Sequence, residues 1–367
     1  MNPWVIVYSI GAAQAVLLAL ALRHRQANMP ANRLLAAWLL LVGIDLATKA
    51  VFLSSPSPEK FRAYLFVAQF PLLHATLFYL YVRTLTTARP LGLRDAPHFI
   101  GFAVALVCFA PVMFASHARV ADQMQLWLAN QVPPPPRWHL LFLYGWSLAY
   151  VASALIRVMR YRRDVRERRS DVDRMSLRWL VVVALGQVAI WTVAVLHDTA
   201  HFSGVDYYLI YGAVAAWACA LGYFSLMQSP VSPEPAASGD PAPAAEPPTA
   251  DDPRLPEVQA RLERLMSEEA LYLEPALTIA QVARRSGYPE YLVSATINRR
   301  YGCTFWDYIN RQRVDAARRM LADPEESRTI LDIAYACGFT SKSTFNAAFK
   351  RETASTPSAA RARRRQG

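Results

Sequence analysis

Two runs in the last third of the chain carry amides and cations at helical spacing. One holds Tyr291, Ser294, Ala295 and Asn298, followed by Arg299 and Arg300; the other holds Lys342, Ser343, Asn346, Ala347 and Lys350, followed by Arg351. An Asn side chain such as Asn298 or Asn346 can pair bidentately with the adenine edge in a major groove. A Lys such as Lys342 can reach guanine, each contact being worth about 1–3 kcal/mol of discrimination. Arg299, Arg300, Lys350 and Arg351, with the tail residues Arg361, Arg363, Arg364 and Arg365, suit phosphates, which give affinity and salt dependence but little sequence choice. Any one of these residues would also fit a solvated helix face. The elements beneath them decide.

A second set of reactive groups lies in apolar surroundings. Asp45 falls near the middle of the second apolar run and His74 near the middle of the third, at matching depth if the two run antiparallel. An ionisable group in a bilayer core costs at least about 2.5–3.5 kcal/mol unless paired. Asp45 and His74 are therefore candidates for a ligand- or proton-responsive site, with Gln14, Gln69 and Gln187 as further polar lining. A structural hydrogen bond between helices explains them equally well. His197 and His201 have the i, i+4 spacing of metal ligands, but with no third ligand in view interfacial anchoring is the preferred reading. No metal and no cofactor are expected. Cys108, Cys219, Cys303 and Cys337 form no CxxC pair and read as buried small side chains rather than a disulfide or zinc framework. No phosphate-binding glycine loop, GxSxG or HExxH motif occurs, so no enzyme is expected. An intramembrane aspartyl protease would need a second deep carboxylate beside Asp45.

The elements that must position these groups begin with seven apolar runs, at 3–22, 34–53, 64–85, 96–115, 138–159, 179–201 and 206–227. Each is near the 20 residues that a bilayer core demands. The 367-residue chain has a formal charge of +11, and its basic residues are unevenly placed. Arg23 and Arg25 follow the first run, and the loop 160–178, RYRRDVRERRSDVDRMSLR, is the most basic of all. The alternate loops carry only Lys60, Arg62, Arg119 and Arg137. That bias predicts an uncleaved first span, an N-terminus outside and a C-terminus in the cytoplasm. The basic loop is read as topological charge with a solvated helical extension, beside the alternative that it binds anionic lipid or a partner. The stretch 229–254, rich in Pro, Ala and acids, cannot bury a core and reads as a linker.

After the linker comes a repeat. TIAQVARRSGY (278–288) and TILDIAYACGF (329–339) share Thr-Ile, then Val or Ile with Ala, then Gly and an aromatic. Thr278 with Gln281, and Thr329 with Asp332, fit capping boxes. Gly287 and Gly338 suit the left-handed turn that ends a short helix. Beyond each turn a second helix hides one face, Val293 with Ile297 in the first and Phe345 with Phe349 in the second. That is helix-turn-helix geometry twice. Between the copies, FWDYINRQRVDAARRML (305–321) predicts an amphipathic helix with Arg311, Arg318 and Arg319 outside. It spans roughly 25–30 Å, near the ~34 Å repeat of B-DNA.

This duplicated arrangement resembles the AraC-type family of bacterial transcription regulators. DIAYACGFTSKSTFNAAFKRETASTPSAAR matches the family's second unit throughout, and the first unit matches from Leu277 to Gly302. There are two departures: Ala354 stands where a Gly is usual, and Pro289 where an N-cap Ser is usual, which should move a helix boundary by a residue or so. The resemblance implies base contacts at Tyr291, Ser294, Ala295, Asn298, Lys342, Ser343, Asn346 and Ala347, and partners that include double-stranded DNA and RNA polymerase. With the apolar runs it implies the membrane-bound subset of that family. The expectation is all-α: a seven-helix transmembrane bundle (1–228), the linker (229–254) and a double helix-turn-helix domain (255–367). The implied function is a tethered, sequence-specific transcription regulator in the bacterial inner membrane, acting as a homodimer in one version and answering an unidentified signal. The alternative is a membrane transporter or enzyme with a regulatory tail. Pro71 and Pro111 in the spans hint at it, but no repeat among the spans supports it.

Overall fold

A computed structural model describes residues 2–129, 131, 136–171, 178–200, 207–228, 231 and 252–364. The predicted linker falls almost wholly outside these, as do His201 and Arg365. The described residues are all-α and carry sixteen α-helices with no strand. They form two compact units: residues 1–159 with 177–236, and residues 160–176 with 237–367.

The first unit is built on α1 (Pro3–Arg23), α2 (Met29–Ser54), α3 (Pro58–Val67), α4 (Phe70–Thr87), α5 (Ile100–Met113), α6 (His117–Leu128), the first part of α7 (Arg137–Arg168), α8 (Arg178–Ala200) and α9 (Tyr207–Met227). Seven helical stretches among these are long and apolar enough to cross a membrane. Local chemistry sets their ends. Asn2 caps α1 by accepting from the Trp4 amide at 3.0 Å, and Pro3 opens the helix. The third stretch is interrupted at Ala68–Gln69, because a continuous helix would drive the Pro71 ring into the Val67 carbonyl. The fourth begins as a 3-10 turn, Leu93–Phe99, in which the Asp95 carboxylate accepts from Gly92 N at 2.9 Å and is held by Arg83.

Helix α2 packs against α1, α3, α4 and α9. Small residues let α1 and α2 approach: Gly11, Ala12, Ala15 and Ala19 are buried, and a Cβ on Gly43 would sit 3.5 Å from the Ala12 carbonyl. Leu17, Ile44, Val107 and Val182 remain exposed, an outward apolar surface that suits lipid contact. Amphipathic α6 is absent from the sequence expectations. It folds Val120, Met124 and Trp127 onto Phe52, Phe61 and Tyr64.

The second unit comprises α10 (Leu255–Ser267), α11 (Ile279–Ser286), α12 (Glu290–Arg300), α13 (Phe305–Ala322), α14 (Ile330–Ala336), α15 (Lys342–Thr353) and α16 (Pro357–Arg364), together with the end of α7. It has two cores. The first gathers Val258, Leu262, Leu265, Ile279, Val282, Val293 and Ile297; the second gathers Ile333, Ala334, Phe339, Phe345, Ala348 and Phe349. Helix α13 belongs to both, giving Phe305, Tyr308 and Ile309 to the first and Val314, Ala317 and Leu321 to the second. At 18 residues it spans about 27 Å.

Two backbone positions lead to predictions. Gly338 has φ +83°, and a Cβ there would meet the Leu273 carbonyl oxygen at 2.6 Å; Gly287 has φ +81° but open space around it. Gly338→Ala should lower the thermal stability of this unit by more than about 2 kcal/mol, and Gly287→Ala by only about 1 kcal/mol. Equal losses in a melting experiment would contradict the contact. Ala354 adopts φ +53° and is the left-handed cap of α15, the position where the family's usual Gly would carry no steric penalty. Ala354→Gly should therefore raise stability by about 0.5–1 kcal/mol, read from the same melts.

Candidate nucleic-acid interface

Both repeat units are set by the same capping chemistry. Thr278 Oγ1 accepts from Gln281 N at 3.3 Å while Gln281 Oε1 accepts from Thr278 N at 2.7 Å. Thr329 Oγ1 accepts from Asp332 N at 3.1 Å, and Asp332 Oδ2 returns the bond from Thr329 N at 3.2 Å. Each satisfies two amides that a helix start leaves bare. The second helices enter differently. Ser341 caps α15 by accepting from Thr344 N at 3.1 Å. Pro289 is itself the N-cap of α12, with no side-chain bond. The boundary shift expected of Pro289 does not occur: it stands at the N-cap with extended backbone, and the helix starts at Glu290.

The two second helices share one burial register. In α12 the buried positions are Leu292, Val293, Thr296 and Ile297; in α15 they are Thr344, Phe345, Ala348 and Phe349. Four positions at 3.6-residue spacing occupy one side, so the opposite side carries Tyr291, Ser294, Ala295 and Asn298 in α12. The corresponding side of α15 carries Ser343, Asn346, Ala347 and Lys350. In α12, Asn298, Arg299 and Arg300 are exposed, while Tyr291, Ser294 and Ala295 are half-buried. In α15, Lys342, Ser343, Asn346, Ala347, Lys350 and Arg351 are all exposed. Tyr291 has a further partner, its hydroxyl accepting from the Arg254 guanidinium at 3.4 Å.

Lys342 and Asn346 border a groove of about 480 Å³ that also takes in Thr329, Ser358 and Arg361. Arg361 donates to the Arg328 carbonyl at 2.6 Å. Arg328 pairs with Glu326 at 2.5 Å, and that hydrogen bond holds the Glu326 carboxyl down at about 2. The structure gives Arg351 a different setting from that of a free phosphate contact. Its guanidinium lies 4.4 Å over the Trp306 ring and meets Asp307 at 3.1 Å and Glu352 at 2.9 Å, bracing α15 against α13. The side chains of Arg363 and Arg364 lie outside the described residues.

Arg313 escaped the sequence reading. It is 1% exposed and donates to the Tyr272 and Glu274 carbonyls, both at 2.7 Å. Burial lowers its guanidinium to about 10, still cationic at neutral pH. Its charge is thus spent on holding the segment before α11. Its position in an otherwise apolar helical row was the available signal. Burial pushes the Cys337 thiol up to about 11, which keeps it protonated and unreactive. Cys108, by contrast, is exposed, so the expectation of a buried thiol does not hold there: its stretch of α5 faces outward.

In the first unit Asp45 and His74 are both buried, but each has another partner. Lys49 Nζ donates to the two Asp45 carboxylate oxygens at 2.6 and 2.7 Å and lies 3.6 Å from the Tyr211 ring centre. His74 Nδ1 accepts from Trp38 Nε1 at 2.9 Å. The i, i+4 spacing of Asp45 and Lys49 is the sequence signal for this pair, which the expectations above do not include. Tyr8, Tyr64, Trp127, Tyr208 and Tyr211 surround Lys49 and leave a void of only about 10 Å³. Gln14 accepts from the Cys219 thiol at 3.2 Å, and Gln69 and Gln187 are buried.

Residues 282–363 match the family model described as a helix-turn-helix domain. The chain is also similar to a protein named as the probable transcription factor PqrA of Proteus vulgaris. The two are 32% identical over 90 residues, which is 24% of this chain and 72% of that protein. No solved structure matches the chain significantly.

Proposed function

Because the chain belongs to the AraC-type family of helix-turn-helix transcription regulators, we propose that it is a membrane-tethered, sequence-specific DNA-binding regulator coupling a signal at the membrane to gene expression. The observation that carries this reading is the common burial register of α12 and α15, which leaves the same side of each unburied, fully exposed in α15 and half-buried over much of α12. The cores beneath them share a single rod of about 27 Å, a length suited to placing both helices in successive major grooves on one side of a duplex. Asn298, Lys342, Ser343 and Asn346 then read bases, with Tyr291, Ser294, Ala295 and Ala347 shaping the fit. Arg299, Arg300 and Lys350 hold phosphates.

The seven apolar helices support residence in a bilayer. The excess of Lys and Arg on alternate loops supports a bacterial inner-membrane protein whose C-terminal unit is cytoplasmic, in reach of the chromosome and RNA polymerase. Tethering restricts that unit to DNA near the membrane and favours pairing of two chains. Asp45, now with Lys49, and His74, now with Trp38, form the polar interior at which a signal would bias helix packing. The interruption of the third span at Ala68–Gln69 favours the transporter alternative, since broken spans accompany transport sites.

Selection from a random-sequence duplex pool by the full chain in lipid nanodiscs tests the proposal. It should enrich one motif with two half-sites about one helical turn apart. Even retention of all sequences would contradict it and favour the alternative.

A further inference from the structure

The end of α7 packs as part of the DNA-binding unit. Residues 160–171 follow the fifth apolar stretch directly in sequence, yet they cluster with the C-terminal helices. Where α7 stops, Arg169 forms an antiparallel bridge with Thr278. Ser170 donates twice to the Leu277 carbonyl, from its amide at 3.0 Å and from its hydroxyl at 2.9 Å. Its own carbonyl accepts from Asn310 Nδ2 at 3.3 Å. Ser170, Leu277 and Asn310 are each fully buried. One turn back, the Arg166 guanidinium lies 5.7 Å over the Trp306 ring.

This seat touches the first reading unit directly and reaches the second through Trp306 of α13. Thr278 is the cap of α11, so Leu277 and Thr278 lead into the first unit. Trp306 also carries Arg351 of the second reading helix, at 4.4 Å. Apart from Arg351, none of these residues belongs to the exposed faces of α12 or α15, so the seated segment leaves the base-reading side chains uncovered. A solvated extension would not bury a serine at every polar atom. Three hydrogen bonds in a buried site specify one geometry, because each would leave an unpaired polar group if the segment slipped.

We infer that Arg166–Ser170 is a brace: the peptide through which the membrane half sets the relative placement of the two reading helices. Seated, it holds Leu277 and Trp306 in one arrangement and both half-sites are read together. Unseated, each unit still reads its own half-site, but the two act with less cooperation. A signal that shifts the fifth span changes transcription by changing how often this segment is seated. The inference rests on the DNA-reading function proposed above.

The test uses the full chain in nanodiscs and the duplex it selects, compared with a duplex that keeps one half-site. Ser170→Pro removes both donors to Leu277, and the residue lies outside the helices of the two reading units. It should weaken binding to the two-half-site duplex by about tenfold, within the usual range of coupling between sites, and leave the single-half-site duplex unchanged. Arg166→Ala should act in the same direction and more weakly. Unchanged affinity for both duplexes, equal loss on both, or a gain would each overturn the brace. If the wild-type chain selects no duplex, the DNA-reading proposal itself fails, a result seen before any variant is made.

Discussion

Asn346→Ala should weaken binding to the selected duplex by about 1–3 kcal/mol, roughly 5- to 150-fold, and leave unrelated duplexes almost untouched. The expectation follows from where the residue stands. Asn346 is exposed one turn into α15, outside the buried row of Thr344, Phe345, Ala348 and Phe349 and beside Lys342 at the rim of the groove. Among the described residues the Asn346 amide makes no side-chain hydrogen bond, so its removal should register only when a base edge is waiting for it. Arg300→Ala provides the contrast. It should lower affinity for all sequences alike and reduce the salt slope by about 1, the mark of a phosphate contact. Anisotropy titrations across several salt concentrations separate the two. Equal loss on selected and unrelated duplexes would remove Asn346 from the reading face.

Lys49→Met should destabilise the first unit by about 3–5 kcal/mol, because it leaves the Asp45 carboxylate buried without its cation. Lys49 is 1% and Asp45 3% exposed, so both are deeply buried. A second substitution, Asp45→Leu in the Lys49→Met background, should recover most of the loss, since a packed apolar pair is often as stable as a buried ion pair. Thermal unfolding of detergent-solubilised protein reads both. If the single variant melts with the wild type, the two groups are not a buried pair in the folded chain. The Tyr211 ring 3.6 Å from the ammonium adds a cation–π contact that Met cannot replace, so recovery in the double variant should be incomplete.

The parts of this molecule visible in its sequence are those encoded by neighbours along the chain. Thr278 with Gln281, Thr329 with Asp332, and Gly287 and Gly338 form the caps and turns their spacing implies, because three- and four-residue separations are fixed by helix geometry. The apolar runs were equally plain, since a helix fit to cross a bilayer shows as about 20 mostly apolar residues in a row. Less visible were contacts between residues far apart. Nothing near Arg351 marks Trp306 and Asp307 as its partners. Ser170 sits in a basic loop that reads as solvated until Leu277 and Asn310, more than a hundred residues later, fold against it. Lys49 is the exception: it stands four residues from Asp45, a separation that helix geometry alone marks as a pair. His74 illustrates the converse: matching depth suggested Asp45, but the indole of Trp38 took the imidazole instead.

The claim beneath all of this is that a DNA-reading unit works while its own chain stays in the bilayer. Crosslinking in living cells, followed by recovery of the full-length chain from the membrane fraction and sequencing of the attached DNA, measures that directly. The account expects a small set of discrete sites sharing the motif selected in nanodiscs, lost on Asn346→Ala. Membrane-fraction protein carrying no DNA, or DNA of no common sequence, would contradict it.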